Sequence, residues 1–182
     1  MKTLSKIILK IIGWKTTGNF PNLDKSVIIF APHTSYWDGL YGKLFFMQLN
    51  INYKFLSKKE FFRFPLNYFF KAFGSIPVYE NRHMVNNVGS LFEENKKLHI
   101  VLSPEGQMAK TDHWKKGFYY MAQRADVPIV LGYLDYKKKE AGIKGVIYDT
   151  KNINSVMQQI SLMYKDVQAK YPKDFALDSR FN

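Results

Sequence analysis

Val27-Ile28-Ile29-Phe30 is the stretch that most limits how this chain can fold. A short, wholly apolar run with no polar face reads as a strand buried on both sides, the kind that lies inside a parallel sheet. A helical pattern follows it from about Trp37 to Leu49. The same alternation recurs downstream. Ile51–Leu56, Gly74–Val78, Leu98–Leu102 and Ile129–Tyr136 read as strands, with helical patterns at Met84–Asn95 and Trp114–Ala125 between them. Strands alternating with helices specify a mainly parallel sheet covered on both faces through right-handed crossovers. The charged stretch Lys137–Gly142 ahead of Val146–Tyr148 suggests a closing hairpin, which would make the sheet mixed. A last helix sets Ile153, Val156, Ile160, Met163 and Val167 on one face and stops before Pro172. The expected fold is α/β, a mixed and mainly parallel central sheet flanked by helices.

Four stretches carry finer expectations. Lys2 to Gly13 is an amphipathic helix: Leu4, Ile7, Ile8, Ile11 and Ile12 recur at helical spacing, while Lys2, Lys6 and Lys10 occupy the other face and Trp14 follows. That pattern suits a helix lying in a membrane interface, and equally one packed on its own sheet. Lys15 to Lys25 is polar and rich in turn residues. Ser57 is placed to cap a helix, with Glu60 as its partner three residues on. The segment from Phe61 to Phe73 surrounds Arg63 and Lys71 with seven aromatic rings, which points to part core and part interface. The tail from Lys173 has no pattern.

For 182 residues one domain is the natural expectation. The chain has no cysteine, so it has no disulfide framework, no thiol nucleophile and no thiolate metal site. Its net charge of +12 calls for an anionic partner: nucleic acid, a membrane surface or an anionic substrate. No zinc-finger spacing, RNA-binding signature or phosphate-cradling glycine loop is present, so nucleic acid is not expected. No run approaches the ~20 apolar residues of a spanning helix, and Lys6 and Lys10 interrupt the only stretch that could pass for a signal peptide. A location on the cytoplasmic side follows as an expectation.

Between the first strand and its helix stands Ala31-Pro32-His33-Thr34-Ser35-Tyr36-Trp37-Asp38. In α/β folds, ligands bind outside the carboxyl ends of strands, and that is where this imidazole and this carboxylate fall. A histidine whose second ring nitrogen is held by a carboxylate has a fixed tautomer and a stabilised charged form, so the pair can work as a general base. The plainer alternative is that His33 packs in the turn. Ser103-Pro104-Glu105-Gly106 forms a second strand-to-loop junction like the first. His99 reads as a strand residue, and His83 and His113 as surface residues.

Taken together, these blocks resemble the glycerolipid acyltransferase family typified by 1-acylglycerol-3-phosphate acyltransferase. His33 and Asp38 match its H-x4-D block, and Gly74-Ser75-Ile76-Pro77-Val78 its second. Ser103-Pro104-Glu105-Gly106 matches the third and Val127-Pro128-Ile129-Val130 the fourth, all in order between about 26 and 132. The resemblance implies O-acyl transfer from an acyl thioester, on coenzyme A or acyl carrier protein, to the hydroxyl of a lysophospholipid or glycerol-phosphate-like acceptor. His33 would be the base and Asp38 its orienter, with no metal and no cofactor. Glu105, Gly106, Gly74, Arg82, Lys115 and Lys116 would meet the acceptor. Residues 1–18 would then be a membrane-docking helix on an anionic membrane surface, with residues 19–182 the single acyltransferase domain. Two positions depart from the family: Glu80 stands where a phosphate-binding arginine is usual, and Gln107-Met108 replace the usual Thr-Arg. Those departures keep open a phosphate-free acceptor such as a lyso-aminolipid. They also keep open a non-catalytic module that binds anionic lipid or nucleic acid.

Overall fold

β2 (Lys25–Ala31) runs through the middle of the molecule, and its two faces lie in two separate cores. Val27, Ile29 and Ala31 point one way and Ile28 and Phe30 the other, as the period of a strand requires. Each of these larger side chains contributes roughly 1.5–3 kcal/mol by leaving water. In the computed structural model, which describes residues 2–78 and 83–181, α1 (Lys2–Ile11) and β1 (Lys15–Thr17) precede this strand. After it come α2 (Tyr36–Phe46), β3 (Tyr53–Lys58), a 3-10 turn (Lys59–Phe62), α3 (Leu66–Phe73), β4 (Ser75–Val78) and α4 (Met84–Glu94). The chain continues through β5 (Leu98–Leu102), α5 (Gly117–Ala125), β6 (Ile129–Asp135), β7 (Glu140–Ile147) and α6 (Ile153–Tyr164).

The strands form one sheet in the order β1-β7-β6-β2-β5-β3-β4. Among the described strands only the β6–β7 pair is antiparallel; every other pairing is parallel. The expected mixed, mainly parallel α/β sheet is what forms. Helices α4, α5 and α6 cover the face to which Val27 and Ile29 point, and α1 and α2 cover the face of Ile28 and Phe30. Two glycines make room for the Phe30 ring between the sheet and α2. A Cβ at Gly132 would stand 2.5 Å from the Phe30 ring, and one at Gly42 would stand 3.2 Å from it. At Gly132 the β6–β7 register also shifts, and its carbonyl accepts a hydrogen bond from the buried Tyr164 hydroxyl at 2.7 Å.

Several local expectations need correcting. Lys15–Thr17, read as part of a polar turn, is the edge strand β1, paired in parallel with β7. Ser57 lies inside β3, and the 3-10 turn after it has no side-chain cap. Gly74 precedes β4 and ends α3 in the left-handed conformation (φ 86°). α5 starts at Gly117, because the stretch around Trp114 is held by the C-terminal tail instead. There the Trp114 N–H donates to Asp178 at 3.0 Å, its indole N–H donates to the Ala176 carbonyl at 2.9 Å, and Arg180 braces Asp178 at 2.8 Å. The patternless tail is therefore a strap.

Of the apolar face expected for α1, Leu4, Ile7, Ile11 and Ile12 are exposed and only Ile8 packs against the core, whereas Leu9, outside that expected face, is buried with Trp14 against α2. No helix among the described residues is long and apolar enough to cross a membrane. α3 has no buried residue; Phe61 and Phe62 pack on Phe70, Phe73 packs on Phe55, and Phe64, Tyr68 and Phe69 face outward.

Candidate active site

β6, β2 and β5 are neighbours and run the same way, so their carboxyl ends share one edge of the sheet. β2 and β5 leave that edge toward opposite faces, through α2 and toward α5, the arrangement beside which α/β sheets bind ligands. His33 enters this edge from β2, Glu105 from β5 and Tyr136 from β6.

The five-residue spacing of His33 and Asp38 has a local cause. Ser35 is the N-cap of α2, its hydroxyl accepting from the Trp37 N–H at 3.3 Å. Asp38, three positions on, returns its carboxylate to the Ser35 N–H at 2.8 Å and to the Thr34 N–H at 2.7 Å. This is a capping box with aspartate as the acid, and the positive end of the helix favours its charge. The box bends the turn until His33 Nδ1 lies 3.3 Å from Asp38 Oδ2. Asp38 is buried, and the His33 side chain is 31% exposed. With Nδ1 facing the carboxylate, Nε2 is the nitrogen left to meet a ligand. Burial pushes the His33 pKa down, but the Asp38 hydrogen bond and the charges of Glu105 and Asp38 outweigh it, and the pKa is raised above 6.5. A ring so placed can take a proton from a hydroxyl and hold it beside a carboxylate.

Glu105 joins the two loops. Its Oε1 accepts from the His33 backbone N–H at 2.8 Å and its Oε2 from the Ser103 hydroxyl at 2.6 Å. Burial pushes its carboxyl pKa up, against the pull of Ser103 and His33. Gly106, with φ at 69°, lies under the stem of Lys115; a Cβ there would stand 2.6 Å from Lys115 Cδ. So His33, Asp38, Glu105, Gly106 and Lys115 are brought together. Lys116 instead lies over the Phe181 ring, 5.2 Å from its centre.

Gly74 is not brought to His33: it precedes the outermost strand β4, level with Ile100 in the middle of β5 and near Lys43. The continuation of its block beyond Val78 holds Glu80 and Arg82, which lie outside the described residues. Among the described residues no group of histidines and carboxylates is placed to hold a metal ion. His99 is a buried strand residue, as expected, while His83 and His113 are exposed.

Sequence reasoning missed Tyr136. Its hydroxyl donates to Asp38 Oδ1 at 2.5 Å. Nothing local points to it, since the partners are 98 residues apart; the only available sign was an aromatic residue at the carboxyl end of a central strand.

A mainly parallel α/β sheet that carries a histidine–carboxylate pair and a Pro-Glu-Gly loop at the carboxyl ends of its central strands has a site suited to general-base chemistry. The Acyltransferase family model matches residues 14–131, well over half of the chain. The chain belongs to the acyltransferase family, which contains the glycerolipid acyltransferases whose blocks it shares, and is an enzyme that transfers acyl groups. No curated protein and no solved structure matches it.

Proposed function

We propose that the enzyme moves a fatty acyl group from a thioester, on coenzyme A or acyl carrier protein, to the hydroxyl of a lysophospholipid-like acceptor at a membrane. The observation that carries this reading is the His33–Asp38 contact at 3.3 Å on the same edge as the Pro-Glu-Gly loop, within the matched family region. His33 Nε2 takes the hydroxyl proton as the acceptor oxygen attacks the thioester carbonyl. The new carbon–oxygen bond forms, the carbon–sulfur bond breaks, and the imidazolium returns its proton to the departing thiolate. Asp38 stabilises the ring while it is charged. General-base help of this kind is worth about 10²- to 10⁴-fold, or ~3–5 kcal/mol. Glu105 fixes the two loops relative to each other, and Lys115, whose stem lies across Gly106, would meet an anionic head group.

Gln107 and Met108 supply no cation where the family has arginine. This favours a second acceptor class within the same chemistry, a phosphate-free lyso-aminolipid. The outward Leu4, Ile7 and Ile11 of α1, together with Lys2, Lys6 and Lys10, support docking of the enzyme on the cytoplasmic face of an anionic membrane.

The test is to incubate the purified protein with a labelled acyl thioester and a pool of lysolipids with and without phosphate, and to identify the product by mass. An acylated product is expected, falling at least about a hundredfold in His33→Ala at an unchanged melting temperature. Near-wild-type turnover in that variant would remove His33 from the mechanism. The mass of the product decides between the two acceptor classes.

A further inference from the structure

Asp38 has more to do than one histidine asks of it. Its Oδ2 receives the Thr34 and Ser35 N–H groups at 2.7 and 2.8 Å and also faces His33 Nδ1 at 3.3 Å. Oδ1 faces the other way, into the protein, and accepts from the Tyr136 hydroxyl. The carboxylate is only 3% exposed, so water cannot easily stand in for that donor. Tyr136 follows β6 directly and lies beyond the part of the chain that the family model matches.

The phenol is itself held from several sides. Its backbone N–H donates to the Gln168 carbonyl at 2.9 Å, and its ring meets Trp14 edge-on at 5.0 Å and Tyr41 at 5.9 Å. Lys170 Nζ lies 5.8 Å from the ring centre. The Tyr171 N–H bonds the Thr34 hydroxyl at 3.2 Å, closing the C-terminal segment over the same turn. A ring gripped by α2, by the β1-side residue Trp14 and by the C-terminal segment is fixed, so its hydroxyl arrives at Oδ1 in one orientation.

We infer that Tyr136 is a positioning residue of the acyl-transfer site: its hydroxyl fixes the Asp38 carboxylate about its own axis so that Oδ2 faces the His33 ring, and it moderates the negative charge that Asp38 offers to that ring. The inference rests on His33 being the base proposed above. A carboxylate with a donor on each oxygen cannot rotate freely, and each donor withdraws some of the charge that would otherwise stabilise the imidazolium. Burial and the neighbouring Asp38 charge keep the phenol protonated, so it acts as a donor throughout the working range. The charged and titratable groups that face this set are Asp38 from α2, Glu105 from the loop after β5, Tyr41 from α2, and Lys170 and Tyr171 from the C-terminal segment.

Two substitutions with opposite signs test it. Tyr136→Phe keeps the ring and removes the donor. More charge then faces His33, so its pKa, read from its imidazole resonances in the full-length protein, moves up. The acid limb of kcat moves to higher pH with it. On the alkaline plateau kcat falls about two- to tenfold as the orientation loosens, with KM little changed. Incorporating 3-fluorotyrosine at position 136 makes the phenol a stronger donor, and the His33 resonances then titrate at lower pH. If neither replacement moves the His33 titration, or if both move it the same way, Tyr136 only packs the turn and the inference is wrong. Activity that survives His33→Ala would overturn the underlying base assignment instead, and that assay does not involve Tyr136.

Discussion

β2 ends beside one histidine and β5 carries another at its start, and the two ends of this strand pair treat the ring in opposite ways. At the amino edge, His99 is buried across from Ser26, with its Nδ1 2.8 Å from the Ser26 hydroxyl and Phe20 edge-on at 4.9 Å. Burial there drives its pKa down to about 4, with Asp24 offering only weak opposition. At the carboxyl edge, His33 is also penalised by burial, yet Asp38 and Glu105 reverse the sign and raise its pKa. A serine partner leaves a buried imidazole neutral and structural, whereas a carboxylate partner keeps it ready to carry a proton. The carboxyl edge of a parallel sheet is also where loops, and not strand neighbours, set the partner, and so it is where chemistry can be built.

The contrast can be broken in four places. Removing the His33 ring should cost at least about a hundredfold in turnover while leaving the fold intact, whereas His99→Ala should do the reverse, lowering the melting temperature and sparing turnover. The next largest effect concerns stability against pH. A folded pKa of about 4 for His99 against 6.5 when unfolded means that the unfolded chain binds a proton the native state refuses. Stability is therefore full above pH 6.5 and declines as the pH falls toward 4, by up to about 3 kcal/mol. Denaturant melts across that range should show the decline, and His99→Gln should flatten it. His33 works with the opposite sign: its raised pKa adds stability below pH 6.5 that is lost as the pH climbs through the raised value.

Smaller again is Asp38→Asn. The amide oxygen can still close the capping box, so the helix stands, but the imidazolium loses its counter-charge. Turnover should fall about 10- to 100-fold with little change in melting temperature; a fall in both together would show that Asp38 serves mainly as a cap. Least of all, replacing Ile7 and Ile11 by serine should weaken binding to anionic vesicles in a flotation assay without unfolding the domain, because both residues are exposed. A lowered melting temperature would instead place them in the core.

The fold and the two loops could be read in the sequence because their causes are local. Val27–Phe30 is apolar throughout and Leu98–Leu102 apolar but for His99, and His33 stands two residues before the Ser35–Asp38 capping box. The same logic misled at Ser57 and Glu60, which have capping-box spacing but fall in a strand and a 3-10 turn. The box that forms is Ser35 with Asp38, an acid that the Glu-or-Gln spacing rule does not name. β1 was illegible because Lys-Thr-Thr has no apolar alternation and exists only through its pairing with β7. Tyr136, Trp114 and the Asp178–Arg180 strap depend on partners far along the chain, and spacing carries no trace of them.

The role proposed for His33 is to carry the proton, because carboxylates overrule its burial. It is tested most directly by following kcat/KM for acyl transfer against pH alongside the titration of the His33 resonances in the same protein. The acid limb and the imidazole should titrate together, at a pH above 6.5. An acid limb below that value, or one that does not follow the ring, would contradict it.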